Sequence, residues 1–224
     1  MEWILVVLAG GALVGAGRQL LVRRAARKVG AEELEQIERL AGEDVTQFGE
    51  ELTRLGEQVR ADDLDADGRL DYQRALAAYE AAQQAVARLR SASDVSTITD
   101  TLASGRYAIV CVQARSAGQP VPERRVPCYF NPQHGPSTTD VVWNQPKYGT
   151  RKVAVCAQDA ARLRSGEDPE IRMVVIGNRR VPYWEAGNAV VPYSSGYFAQ
   201  GGGARYVAEA SIEGPIRRIG DGHH

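Results

Sequence analysis

The strongest constraint on this chain is an uncharged apolar run near its start, WILVVLAGGALVGAG from Trp3 to Gly17. RQLLV extends the helical pattern to Val22, interrupted only by Arg18 and Gln19. About twenty residues at ~1.5 Å each match the ~30 Å of a bilayer core, and Arg18 near one end can snorkel to the headgroups. Glu2 precedes the run, whereas Arg18, Arg23, Arg24, Arg27 and Lys28 follow it. A secretory signal has the opposite charge order and a small-residue cleavage site after the run. Residues 1–29 therefore read as an uncleaved single-pass anchor in the cell membrane, with its N-terminus outside and the rest of the chain cytoplasmic. A buried core helix is the competing reading, and it seldom carries so one-sided a basic flank.

The 224 residues leave room for one domain, or two small ones, after such an anchor. A formal net charge of −1 gives no bulk attraction for a polyanion, so nucleic acid is not an expected partner.

Residues 30–117 read as a helical unit. From Ala31 to Arg60, the positions Leu34, Ile37, Leu40, Val45, Phe48, Leu52, Leu55 and Val59 recur at spacings of mostly three and four. Gly42, Gly49 and Gly56 follow every seventh residue beside that stripe, which points to close approach of a second helix or to chance composition. A second helix is predicted from Leu70 to Arg90, with Leu76, Tyr79, Ala82, Val86 and Leu89 inward. A third follows Ser93, its plausible N-cap, and runs toward Ala117 with Cys111 in its core face. Short links make these an antiparallel bundle, or a coiled-coil hairpin plus one helix.

The character changes at Gly118, where the connector GQPVPERRVP opens a smaller unit, residues 118–200. Strands are predicted at Val126–Phe130, Asp140–Trp143, Arg151–Val155 and Ile171–Ile176, with a short helix over Ala157–Arg164 closed by Gly166. The aromatic and Gly-rich stretch from Val181 has no period and is expected to wrap over this lobe, leaving residues 201–224 as a flexible tail. The fold class is thus α+β: a transmembrane helix, a helical bundle and a small β-hairpin plus helix lobe.

Within that lobe PCYFNPQHGPS holds Cys128, Asn131 and His134, and Cys156 opens the short helix with Asp159 three residues on. Knuckle, hairpin and helix start, in that order, resemble a treble-clef zinc finger, whose ligands come as C-x2-C at both ends. Here Asn131 and Asp159 replace the second cysteines. A neutral amide is a poor zinc ligand, so the candidate set is Cys128, His134, Cys156 and Asp159, with zinc as the metal. The leading expectation is a metal-free remnant of that shape with no cofactor; zinc on those four residues, a Cys128–Cys156 disulfide, disfavoured on the cytoplasmic side, and a Cys128–His134 nucleophile pair oriented by Asp140 or Asp159 are the alternatives.

DLDADGRLD, residues 63–71, sets Asp63, Asp65, Asp67, Gly68 and Leu70 at EF-hand positions 1, 3, 5, 6 and 8. Position 12 is Arg74 in place of a bidentate Glu, so the stretch reads as a helix-helix turn.

FGEEL at Phe48, DYQRALAAYEAA at Asp71, GRYAIVCVQAR at Gly105, PERRVPCYFNPQHGPS and VPYWEAG near Trp184 together resemble a family of small single-pass membrane proteins of actinobacteria. A similar C-terminal block follows the domain of some actinobacterial TPM-domain proteins. The resemblance implies a membrane location and brings no active site. The resulting expectation is a membrane-anchored cytoplasmic interaction or scaffold protein with a protein partner. Two alternatives are a metal-dependent or thiol enzyme at the four-residue cluster, and a stalk that forms homo-oligomers through the Ala31–Arg60 helix.

Overall fold

The computed structural model describes residues 2–145, 149–186 and 190–198, with side chains from residue 30 onward except Ala61 and Pro192. It is a mixed fold of long helices and two small antiparallel hairpins, the α+β class expected. Helix α1 spans Glu2–Gln58, α2 Ala66–Ala87 and α3 Val95–Ser116. In the lobe, β1 (Thr139–Gln145) pairs with β2 (Gly149–Val155), α4 covers Ala157–Arg164, and β3 (Met173–Ile176) pairs with β4 (Arg179–Pro182). Helix α5, Val191–Phe198, ends the described chain.

The backbone is helical from the apolar run straight into the bundle, with no break at Gly30. Among the described residues no helix is long and apolar enough to cross a membrane. The expected anchor falls on residues 1–29, whose side chains lie outside the described set, as does the tail at 201–224.

The α1 stripe behaves as its spacing requires: Ile37, Leu40, Val45, Phe48, Leu52 and Leu55 are buried. Gly49 and Gly56 lie under the Tyr79 ring and the Tyr72 hydroxyl of α2, whereas Gly42 faces open space. Two of the three glycines are therefore used for packing inside the chain. Gly105 of α3 is the tighter spot, since a Cβ there would sit 2.8 Å from that of Ala78 and collide with Phe48.

Helix α2 corrects two expectations. It starts four residues before Leu70, because the Asp65 side chain accepts a hydrogen bond from Gly68 N at 2.6 Å and caps it. Its buried residues are Gly68, Asp71, Ala75 and Ala82, while Leu76 is 40% exposed. Small residues face the other helices and allow close packing, which turns the larger Leu76 outward. Likewise Ser91 and Asp94, not Ser93, form the turn before α3: the Asp94 carboxylate accepts from the backbone N–H of both Arg90 and Ser91.

In the lobe, β1, β2 and β3 fall within or around their predicted runs and α4 matches its predicted range. Val126–Phe130 is no strand. Only an isolated Pro127–Pro136 bridge forms there, since proline lacks the N–H a ladder needs, and the chain curls into a turn instead. The segment after Val181 meets the expectation in part: it ends β4 and turns at Tyr183–Glu185, where Tyr183 and Trp184 cover Tyr129 and Trp143 of the lobe, while α5 packs on α3 of the bundle. Gly196 permits that crossing, because a Cβ there would lie 2.7 Å from Ser96 Cα. One continuous core joins bundle and lobe.

Candidate metal centre

Three local structures deliver the four predicted side chains to one point. The Cys128 backbone N–H donates to Gly135 O and the Ser137 N–H to Val126 O, which closes the knuckle loop on itself. Inside the loop Asn131 Oδ1 accepts from Gln133 N at 3.0 Å and caps a single turn, Pro132–His134. Gly135 reverses the chain with φ of 78°, a conformation glycine adopts without strain. On the other side of the hairpin, Cys156 is the N-cap of α4, its Sγ accepting from Asp159 N at 3.4 Å. Asn131 is thus spent on the turn, and His134 is the residue of this loop that joins the cluster with Cys128.

The Cys128, His134, Cys156 and Asp159 ligand atoms all lie within 4.8 Å of one another, and the group can hold a metal ion. His134 Nδ1 is 3.0 Å from Asp159 Oδ2 and 3.6 Å from Cys156 Sγ. Asp159 Oδ2 is 3.2 Å from Cys128 Sγ and 3.5 Å from Cys156 Sγ. Cys128 and Asp159 are fully buried, and Cys156 nearly so. Both cysteines are free thiols, as is buried Cys111, so the disulfide alternative is not what the structure contains.

Surrounding groups orient the ligands. Glu170 N donates to Asp159 Oδ1 at 2.9 Å, leaving Oδ2 toward the cluster, and the Glu170 carboxylate lies 3.7 Å from His134 Nε2. A carboxylate behind the far ring nitrogen is the arrangement that fixes a metal-binding imidazole.

The electrostatics follow from this crowding. The Cys128 S–H bond and, against burial, contacts from His134 and Asp159 N–H lower Cys156 to about 5, so it is a thiolate near neutrality. The hydrogen bond to Cys156 and burial hold Cys128 well above the usual thiol range. Burial alone would lower His134, but hydrogen bonds to Asp159 and Cys156 outweigh it and raise the imidazole to about 10. Asp159 falls to about 2, where bonds from His134, Glu170 N–H and Cys128 overcome its burial. Without a metal the centre is a thiolate, an imidazolium and a carboxylate in mutual contact. Asp159, and not Asp140, is the group that orients His134; Asp140 pairs with Arg125 at 2.5 Å and with Lys152 at 3.4 Å.

A second polar centre was not anticipated from sequence. Asp44 of α1 is fully buried and accepts hydrogen bonds from Tyr193, from Tyr197 at 2.5 Å, from Gln133 and from Arg172 at 3.2 Å. Arg106 of α3, 2% exposed, donates to Glu51 at 3.0 Å and to Tyr197 at 3.3 Å. The legible signal was an acidic residue next to the apolar Val45 within the α1 stripe.

The acidic DLDADGRLD stretch does not converge as a calcium loop. Asp65 caps α2, and Arg115 reaches Asp71 at 3.1 Å and Asp67 at 3.4 Å. Compared with family models, curated proteins and solved structures, the chain matches none.

Proposed function

We propose that this chain is a membrane-anchored scaffold protein whose C-terminal lobe, a treble-clef-like unit, is locked by one structural zinc ion. Cys128 Sγ, His134 Nδ1, Cys156 Sγ and Asp159 Oδ2 are its ligands. The observation that carries the reading is the set of distances among those atoms. Tetrahedral zinc with sulfur at ~2.3 Å and nitrogen or oxygen at ~2.0–2.2 Å sets ligand-to-ligand edges of about 3.4–3.8 Å. Four of the six separations, 3.0 to 3.6 Å, sit at or just inside those edges, and all six lie within 4.8 Å. Two thiolate-forming residues and one imidazole favour zinc over magnesium or calcium.

Burial favours a structural role over a catalytic one. A catalytic ion keeps a position open to substrate, whereas all four ligand positions here are filled by protein and the sulfurs are enclosed. The apolar run, its basic flank and the resemblance to actinobacterial single-pass proteins support the anchor. The continuous helix from that run into the bundle supports a scaffold held at a set distance from the bilayer. Elemental analysis of the purified full chain tests the site: one zinc per chain is expected, lost on Cys156→Ser. A metal-free wild-type chain overturns the assignment.

The contact chain from Cys156 through His134 to Asp159 favours a second reading, a thiol enzyme. A cleft of about 490 Å³ is lined by His134, Gln133 and Glu170 but by neither cysteine nor Asp159. Turnover abolished by thiol alkylation would favour the enzyme over the scaffold.

A further inference from the structure

The β3–β4 hairpin runs along α1 in a fixed direction. Arg172, just before β3, bonds Glu43 at 2.8 Å and Asp44 at 3.2 Å, while the Val175 carbonyl accepts from Gln36 at 3.3 Å. Three residues of strand, ~10 Å, thus match seven or eight residues of helix, ~11 Å. The hairpin advances toward the N-terminal end of α1. Its turn, Gly177 and Asn178, lies two residues beyond Val175, which places it about level with residue 32 of α1.

That tip is exposed and cationic. Val175, Gly177, Asn178, Arg179 and Arg180 are all exposed, and Val175 is paired directly opposite Arg180 across the ladder. An apolar side chain and a guanidinium therefore share one open face. Among the described residues neither Arg179 nor Arg180 has a carboxylate partner. Gly177, with φ of 61°, makes the tight turn that carries both arginines forward.

We propose that this hairpin tip is a docking surface for anionic lipid headgroups. The inference rests on the anchor reading. With the apolar run ending at Val22, the tip stands ten residues along the helix, ~15 Å, from the hydrocarbon edge. Headgroups fill the first ~5–7 Å of that distance, leaving about one Debye length at physiological salt. At that distance the roughly fivefold gain that an arginine has at the surface of an anionic leaflet falls to about twofold. Past Lys28 the helix itself turns acidic at Glu32, Glu33 and Glu35, so any attraction at this level comes from the two hairpin arginines and works against those carboxylates.

The test uses the full chain in vesicles, with Asn178→Cys carrying a fluorophore and a quencher on the lipid headgroups; the native thiols are buried and serve as the unlabelled control. In vesicles with roughly a third phosphatidylserine, quenching is expected to exceed that in pure phosphatidylcholine about twofold or more. The excess is expected to disappear in ~1 M salt and in the Arg179→Glu, Arg180→Glu variant. A chain that floats with vesicles yet shows equal quenching in both lipids overturns the hairpin proposal and leaves the anchor standing. A chain that does not float overturns both.

Discussion

Gln133 donates a hydrogen bond from the lobe to the buried Asp44 carboxylate of α1, and the next residue is the candidate ligand His134. The knuckle is therefore tied to the long helix one residue from the candidate metal ligand His134. Through Tyr193 and Tyr197 the same carboxylate holds α5, and through Arg172 it holds the start of β3.

Removing Asp44 leaves two tyrosine hydroxyls, one amide and the Arg172 guanidinium facing a dry pocket. Asp44→Ala is expected to destabilise the fold by about 3–5 kcal/mol, and Asp44→Asn by less, because the amide still accepts hydrogen bonds. Urea unfolding measures both. An Asp44→Ala loss below about 1 kcal/mol would show that the network is not made in solution.

Asn131 and His134 separate a turn role from a ligand role. Asn131→Ala removes a capping acceptor, so a loss of about 1 kcal/mol with metal stoichiometry intact is expected. His134→Ala removes a ligand and should lower zinc affinity by well over ~10-fold. Competition with a chromophoric chelator reads both, and equal affinities for the two variants would overturn the separation of turn role from ligand role.

How much of this was legible in the sequence depended on whether local pattern or distant partners decided the outcome. The α1 stripe, α4 and the Cys-His-Cys-Asp set were readable because periodicity, a cap and a spacing each act within a few residues. Helix α5 was not readable, since it is only eight residues long and carries Gly196, a poor helix former, in its middle. What forms it is the burial of Tyr193 and Tyr197, four residues apart, with their hydroxyls on Asp44 some 150 residues earlier. On α2 one residue was misplaced for a related reason: Ala82 and Leu89 are buried and Tyr79 and Val86 pack against the core as expected, but size suggested Leu76, whereas the small Ala75 is the buried neighbour. The alternation Val190, Tyr193, Tyr197 was the one local hint of α5.

Stability of the chelator-treated chain should depend on pH in a way set by the thiolate and the imidazolium. Cys156 titrates near 5 when folded and near ~9 when unfolded; His134 near 10 and near ~6.5. Below about 6.5 the folded state has lost the Cys156 proton that the unfolded state keeps, so stability falls as pH drops toward 5. Between about 6.5 and 9 both states hold the same number of protons across the pair, giving a plateau. Above about 9 the folded state keeps the His134 proton, so stability falls again toward 10. Asp159, at about 2 when folded, adds a further loss below about 4. Thermal melts of wild type against Cys156→Ser check this; a variant with the same acid limb would remove the thiolate from the argument.

Two glycines in neighbouring helices should respond oppositely to the same change. At Gly42 no atom lies within 4 Å of an added Cβ, so Gly42→Ala gains helix propensity, about 0.5–1 kcal/mol of stability. At Gly105 the added carbon meets Ala78 at 2.8 Å and the Phe48 ring, both inside the core where α1, α2 and α3 meet. The helices must separate or Phe48 must leave its rotamer, at a cost of about 1–3 kcal/mol that exceeds the propensity gain. Because Phe48 also lies 5.5 Å under the Arg106 guanidinium, its displacement would disturb the Glu51–Arg106 pair. A double variant, Gly105→Ala with Phe48→Leu, should recover part of that loss by freeing the space, and denaturant midpoints of the four chains measure the coupling. Additive effects in that cycle would place the Gly105 contact elsewhere than on Phe48.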